Sequence, residues 1–510
     1  MLRTYLIILL IIFRYNINLA QQNSCIQYKD TNLCFLETKL GINSLEFVKK
    51  LESSQDLRVY FTPLLADVDG DCIPDLVINS HRSDSVLFID SRSGLTKGGF
   101  KKYVSDNGFN YLLILDIDHD LVPEFISHTV TYTGDTSYYG DRLVCYKMDG
   151  TLLWTSDQKI KLAPIHGSGT GTIGAADFNH DGVPEIYISN KLFNARTGVQ
   201  LADGAMNGQG FNRPRNQYRS ITVAANLDLD TTDLELAAGY TIYKIKINNL
   251  NGMTGNTMTP YNIRINGQFE DGVTSVADID QNGILDVVVS VRGDNSDPLL
   301  YAYYLNNGIP RLIASANPTT IPGGGVRSRS ISRATIGKID STQSVCILIN
   351  VDTRMDAYYY NNSNRFRLKW SLTHTDSSGS TEPTLFDFNG DGVQEIIFRD
   401  MTHIKSIDGS GSAARVIHQL PCLSPTYTEY PIIGDLDNTG EAKFCVTCSY
   451  QRGNGWPSKL TVFGPLDGQH WAPARGVWNQ YPYNPLFIND DLTVPQYQKN
   501  HATYKNGKYN

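Results

Sequence analysis

Four oxygen-bearing side chains, Asp387, Asn389, Asp391 and Glu395, stand at positions 1, 3, 5 and 9 of one short loop, with Gly392 at position 6 where the backbone must turn sharply. That spacing makes a cage for a hard cation. Calcium accepts six to eight oxygens at about 2.3–2.6 Å in irregular geometry, so three or four carboxylate and amide side chains suit it better than magnesium or zinc. The chemistry implied is calcium binding.

An EF-hand begins with the same spelling, but it needs a bidentate Glu at position 12 and a helix on each side. Here position 12 is Phe398, in the run Ile396-Ile397-Phe398. β-Branched and aromatic residues in such a run read as a buried strand. The unit is strand, loop, strand.

The pattern is written four more times, as Asp67, Asp69, Asp71, Asp75; as Asp116, Asp118, Asp120, Glu124; as Asp177, Asn179, Asp181, Glu185; and as Asp278, Asp280, Asn282, Asp286. In the first of these Cys72 replaces the glycine. About five Ca2+ sites are therefore expected, bracing the fold rather than taking part in chemistry. Three further copies depart from the pattern. The stretch from Asn226 through Asp228, Asp230 and Asp233 to Glu235 has one residue too many, the copy at 337–340 has lost its ligands, and the copy at Asp435, Asp437 and Thr439 places Lys443 at position 9.

The elements that must hold these loops follow from their period. Starts at 67, 116, 177, 226, 278, 337, 387 and 435 lie roughly 50 residues apart, a spacing that matches four strands per repeat. Each interval has room for two more strand-like runs, such as Val86-Leu87-Phe88-Ile89 and Leu143-Val144-Cys145-Tyr146. Four strands per repeat is a β-propeller blade, and blades must stack because none can bury both faces alone. Composition agrees. The chain of 510 residues is 41% hydrophobic, with 43 glycines and 29 tyrosines, and has no long amphipathic helical run beyond its first 60 residues. The net charge of −8 argues against a nucleic-acid partner, and 17 of the 52 acidic residues sit in the five best loops.

Segments such as Leu65-Ala66-Asp67, Ala175-Ala176-Asp177 and Val276-Ala277-Asp278 carry a resemblance. Over residues 58–480 the repeats resemble the FG-GAP or VCBS repeats of integrin-α-type propellers. The resemblance implies an all-β ring of seven to eight four-stranded blades, with calcium loops between the first and second strands. Eight repeat starts favour eight blades.

The N-terminus reads as a secretory signal peptide over residues 1–20, with one basic residue, an apolar run from Leu6 to Phe13 and a small residue, Ala20, before the cut. In the segment 21–57, Ile42 to Leu51 reads as a short helix or a strand that closes the body. Nothing later is apolar enough to span a bilayer. A secreted, extracellular or cell-surface protein without a transmembrane segment in its mature form is expected, and a monomer. The eight cysteines fit an oxidising compartment, with Cys25 and Cys34 closing a small loop and Cys422 pairing with Cys445 or Cys448.

The segment from His470 to Gln480, followed by Ile488 to Pro495 in the tail 481–510, is similar to one that follows such repeats in large cell-surface and secreted proteins of the Bacteroidetes type. Those proteins continue into adhesion or sorting domains, so a chain ending at Asn510 is a short form or part of a longer one. Arg475, Trp478 and Asn479, with Tyr481 and Tyr483, form a candidate ligand patch. The alternative is that Trp478 packs the closing strand and Arg475 pairs with Asp490 or Asp491. The glycine-rich run His166 to Thr172 lacks the lysine and helix of a phosphate loop and reads as a turn into the third cage. The basic run Arg327 to Arg333 reads as a solvated loop face.

Neither G-x-S-x-G, H-E-x-x-H nor a recognisable acid/base pair occurs. The expectation is a non-enzymatic recognition or adhesion module for extracellular protein or glycan. The alternative is an enzyme, because some propellers with similar repeats are polysaccharide lyases or phospholipases with chemistry in the central channel.

Overall fold

Each acidic loop follows three to five apolar residues and precedes another apolar run, and the loop's turn folds the two back on each other. Leu64–Ala66 pairs with Asp75–Ser80, placing Ala66 opposite Asp75. The same register sets Ala176 opposite Glu185, Ala277 opposite Asp286 and Phe386 opposite Glu395. The last acid is thus always carried by the first residue of the second strand, next to the start of its own loop.

In the computed structural model the described residues are 45–502, apart from 58, 60, 81–83, 103–110, 133–137, 161–168, 213–217, 229, 231–232, 294–296, 319–329, 343, 380, 425, 427 and 452–456. The expected signal peptide, Cys25 and Cys34 lie outside them. The described residues form strands and turns, without helices.

Eight antiparallel sheets make eight blades. They cover 64–101, 113–155, 173–203, 223–262, 273–316, 335–373, 384–421 and 432–464. In the first seven the four blade strands pair in sequence order, the first innermost, and in all eight the acidic loop lies between the two innermost strands. Blade 8 takes its outermost strand from the other end of the chain: Val48–Glu52 pairs with Ser458–Gly464. Within the expected closing segment, whose described residues begin at Leu45, Val48–Glu52 is a strand that closes the ring, locking residues about 400 positions apart.

The apolar core lies between neighbouring blades. Val288 and Leu300 of blade 5 pack with Ile347 and Ile349 of blade 6, and Tyr187 and Leu192 of blade 3 with Leu236 and Tyr243 of blade 4. Because successive strands reverse direction, the acidic loops and the turns before the fourth strands share one face of the ring. The connections between blades share the other.

One sheet exceeds its blade. Tyr138–Tyr146 of blade 2 also pairs in parallel with Gly169–Gly171, which continues to Tyr218–Ser220. Gly169–Gly171 is therefore a strand and not the expected turn. A Cβ on Gly171 would lie 2.7 Å from the Ile188 side chain, so glycine lets this strand press against blade 3. The cysteine pairing resolves as Cys422–Cys448, and Cys72 is also disulfide-bonded.

Candidate metal loops and axial channel

In the loops the first acid collects backbone amides. Asp177, Asp278 and Asp387 each accept the amide at position 6, from Gly182, Gly283 and Gly392, at 2.8 Å. Aiming that amide inward requires positive φ, which these glycines adopt at 82°, 89° and 85°. In blades 1 and 2, Cys72 and Leu121 take the same conformation, at 68° and 67°, and their amides reach Asp67 and Asp116 at 2.9 Å. The loop demands a left-handed residue there even where a side chain must bear the strain.

The last acid divides its two oxygens. One accepts the amide at position 2: Ile117 to Glu124 at 3.0 Å, Phe178 to Glu185 at 2.9 Å, Ile279 to Asp286 at 2.8 Å and Phe388 to Glu395 at 3.0 Å. The other faces the loop interior. Glu185 Oε1 and Asp286 Oδ1 are buried there without a hydrogen-bond partner, an arrangement that costs free energy unless a cation or proton answers it. Burial accordingly pushes the carboxyl of Glu124 up to about 7 and those of Asp286 and Glu395 up to about 8. Asp67, Asp69 and Asp71; Asp116, Asp118 and Glu124; and likewise Asp278, Asp280 and Asp286 can each bring one oxygen within 4.8 Å of the others in their group. These donors are all oxygens, and they fit a calcium ion.

Other loops already contain a cation of their own. In blade 1, Lys97 Nζ lies 2.7 Å from Asp69, 2.8 Å from Asp71 and 3.3 Å from Asp75. In blade 4 the extra residue is absorbed, since Glu235 still sits opposite Ala225 and still accepts the position-2 amide, from Leu227 at 2.8 Å. Lys244 Nζ lies 2.8 Å from Asp228 and 2.5 Å from Asp230. Lys369 reaches Asp340 of blade 6 at 2.5 Å, and Lys443 reaches Asp437 of blade 8 at 2.7 Å.

The tail threads the ring beside these loops. Ala472 donates to the Phe388 carbonyl at 2.8 Å, Asp435 to that of Arg475 at 3.0 Å, and Leu65 and Trp478 exchange backbone bonds of 3.0 and 2.7 Å. Ile114 then donates to Asn479 and Asp116 to Leu492, while the Gln496 side chain reaches the His180 carbonyl at 2.6 Å. The tail thus touches blades 7, 8, 1, 2 and 3 in turn. Gly434 makes room for it, because a Cβ there would meet Leu65 at 2.6 Å and the Arg475 carbonyl at 2.9 Å.

The three residues of the candidate patch are built into this tail. Arg475 pairs with Asp490 at 2.7 Å, and Trp478 stacks on Tyr483 with ring centres 4.4 Å apart. Asn479, only 2% exposed, donates to the Ile114 carbonyl at 3.2 Å. Arg475 and Trp478 border an axial cavity of about 970 Å³, shared with Tyr430, Tyr483, Phe487 and Asp491; Asn479 is turned into the ring wall.

Beside this cavity stands a cluster that the sequence reading missed. Arg333, expected on a solvated face, instead pairs with buried Glu382 at 2.9 Å, because its connection turns inward at the axis. Tyr481 of the tail donates to Glu382 at 2.9 Å and accepts from Arg219 at 3.2 Å. The Tyr111 and Tyr430 rings each lie 4.9 Å from the Tyr481 ring. Burial pushes all three phenols up. Tyr111, Arg333, Glu382 and Tyr430 each stand two residues before the first strand of a blade. Once the strands are placed, that shared offset is the signal that finds them.

No protein-family model matches the chain, and no curated protein matches it in sequence. Solved structures do match. The V. cholerae biofilm matrix protein Bap1 is 14% identical with a TM-score of 0.60, over 89% of this chain and 97% of that one. A Bacillus licheniformis rhamnogalacturonan lyase is 14% identical with a TM-score of 0.50, over 90% of this chain and 80% of that one. At such identity the likeness is one of fold.

Proposed function

We propose that this chain is an extracellular FG-GAP/VCBS-type propeller, braced by calcium, that acts as a non-enzymatic recognition module for glycan or protein, with the axial cavity as its binding site. The carrying observation is the cavity of about 970 Å³, its wall set with Tyr430, Trp478, Tyr483 and Phe487. That volume matches a ligand pocket, typically about 300–1,000 Å³. Aromatic rings give sugar faces a broad apolar surface while their polar edges still take hydrogen bonds.

The two arginines at the cavity are already committed. Arg475 answers Asp490 and Arg333 answers Glu382, and the tyrosines are held protonated by burial. Such a wall offers shape and fixed polarity rather than a poised acid and base. The Cys422–Cys448 disulfide supports an oxidising compartment. Among the described residues no helix is long and apolar enough to cross a membrane.

A lyase is the second reading. It rests on Arg219, Arg333, Tyr430 and Tyr481 converging from separate parts of the chain. A glycan-array and matrix-protein binding screen, run with and without a calcium chelator, separates the two when paired with a product-release assay on rhamnogalacturonan and other polysaccharides. Binding without turnover supports recognition. Turnover that a folded Tyr430→Phe variant abolishes would replace it with the lyase.

A further inference from the structure

We propose that in blades 1, 4, 6 and 8 a lysine ammonium stands where a metal ion would stand, leaving about four calcium ions for the ring, in blades 2, 3, 5 and 7. The inference rests on the calcium reading above and narrows it, since blade 1 carries one of the five full sequence patterns.

The device is a β-bulge. The outermost strand slips by one residue against its neighbour in every blade but the fourth. A bulge re-aims the side chain of its extra residue. In blades 1 and 6 the extra residue is Lys97 or Lys369, and each ammonium reaches the acids of its own loop. In blades 2, 3, 5 and 7 the same position holds Leu153, Leu201, Ile313 and Ile417. Blade 4 delivers Lys244 from its third strand. In blade 8 the bulge residue is Lys50, which pairs with Asp467 at 3.0 Å outside the cage, and Lys443 comes from position 9 of the loop itself.

The contacts made by Lys97 are those a metal would make. Its partners Asp69, Asp71 and Asp75 are positions 3, 5 and 9, so an ion in that cage would sit against a positive charge and the two exclude each other. The ammonium is tethered, whereas free calcium must be drawn from solution by modules that bind it at roughly 10⁻⁴–10⁻³ M. Among the described residues no lysine answers the last acid in blades 3 and 5, where Glu185 Oε1 and Asp286 Oδ1 are buried without a hydrogen-bond partner. Glu235 Oε1 of blade 4 and both Asp75 oxygens of blade 1 also lack one, but there an ammonium supplies the charge, from Lys244 on neighbouring Asp228 and Asp230 and from Lys97 at 3.3 Å from Asp75.

Equilibrium dialysis of the whole protein against saturating calcium tests the count. The wild type should bind about four ions and Lys97→Met about five, because removing the ammonium frees a complete cage. Peptide-level hydrogen exchange on the wild type covers the case in which the variant does not fold. Chelation should speed exchange at residues 182–183, 283–284 and 392–393 by about tenfold or more, while 72–73 and 439–440 stay unchanged. Five or more ions on the wild type with none gained in Lys97→Met, or chelator-sensitive exchange at 72–73, would overturn the lysine assignment and leave the calcium reading standing. No ions at all on the wild type would remove the calcium reading itself.

Discussion

Arg475 and Asp490 meet at 2.7 Å across fifteen residues of the tail, and the same guanidinium donates to the carbonyls of Ile488, at 2.9 Å, and Pro485. One side chain thereby closes the tail segment that borders the axial cavity. Arg475→Ala breaks a half-buried ion pair together with two charge-assisted bonds. It should lower the unfolding free energy by about 2 kcal/mol, read by urea denaturation. Limited proteolysis should cut faster between 476 and 492 while the ring stays intact.

Asp391 supplies position 5 of the blade 7 loop, and its Oδ1 accepts the Val393 amide at 2.8 Å. Asp391→Ala should remove one calcium ion and lower the melting temperature in excess calcium, since only bound metal stabilises by mass action. In chelator, variant and wild type should melt nearly together. Calorimetric titration counts the ion, and equal melting of the two proteins in excess calcium would contradict the assignment.

The raised carboxyls set a pH dependence. Glu124, Asp286 and Glu395 titrate near 4 in an unfolded chain, but burial pushes them to about 7, 8 and 8 in the fold. For an acid raised on folding, the extra stability is present in full below the unfolded value and is lost as pH rises through the folded one. Metal-free protein should therefore melt at progressively lower temperature between about pH 4 and pH 8. Calcium needs these carboxylates ionised, so its stabilising effect should grow over the same range. Melting curves across pH, with and without calcium, measure both slopes.

Glu382, 1% exposed, faces Arg333 at 2.9 Å and Arg219 at 3.8 Å. Glu382→Gln keeps the shape and deletes the charge, leaving two largely buried guanidinium groups without this carboxylate. The expected loss is about 3–5 kcal/mol of stability, measured by denaturant unfolding. A loss under about 1 kcal/mol would mean that the pairs act like exposed ones.

The acidic loops could be read directly because their ligands are local: positions 1 to 9 of one turn lie next to each other in the chain, and the apolar runs beside them specify the strands that hold them. Repetition of that local unit about every 50 residues was enough to imply stacked four-stranded blades. Glu235 shows the limit of counting. Its loop has one residue too many, yet the strand pairing that sets Ala225 opposite Glu235 restores the acid to its place.

What the tertiary structure decided are the contacts between residues far apart in sequence. Lys97 enters the blade 1 cage only because a bulge in a later strand turns it there, and Arg333, Glu382 and Tyr481 meet only because separate blades and the tail converge on one axis. Spacing along a chain encodes which residues share a turn. Which of them share a cage or a channel depends on strand register and ring closure, and those are set by the packing of the whole ring.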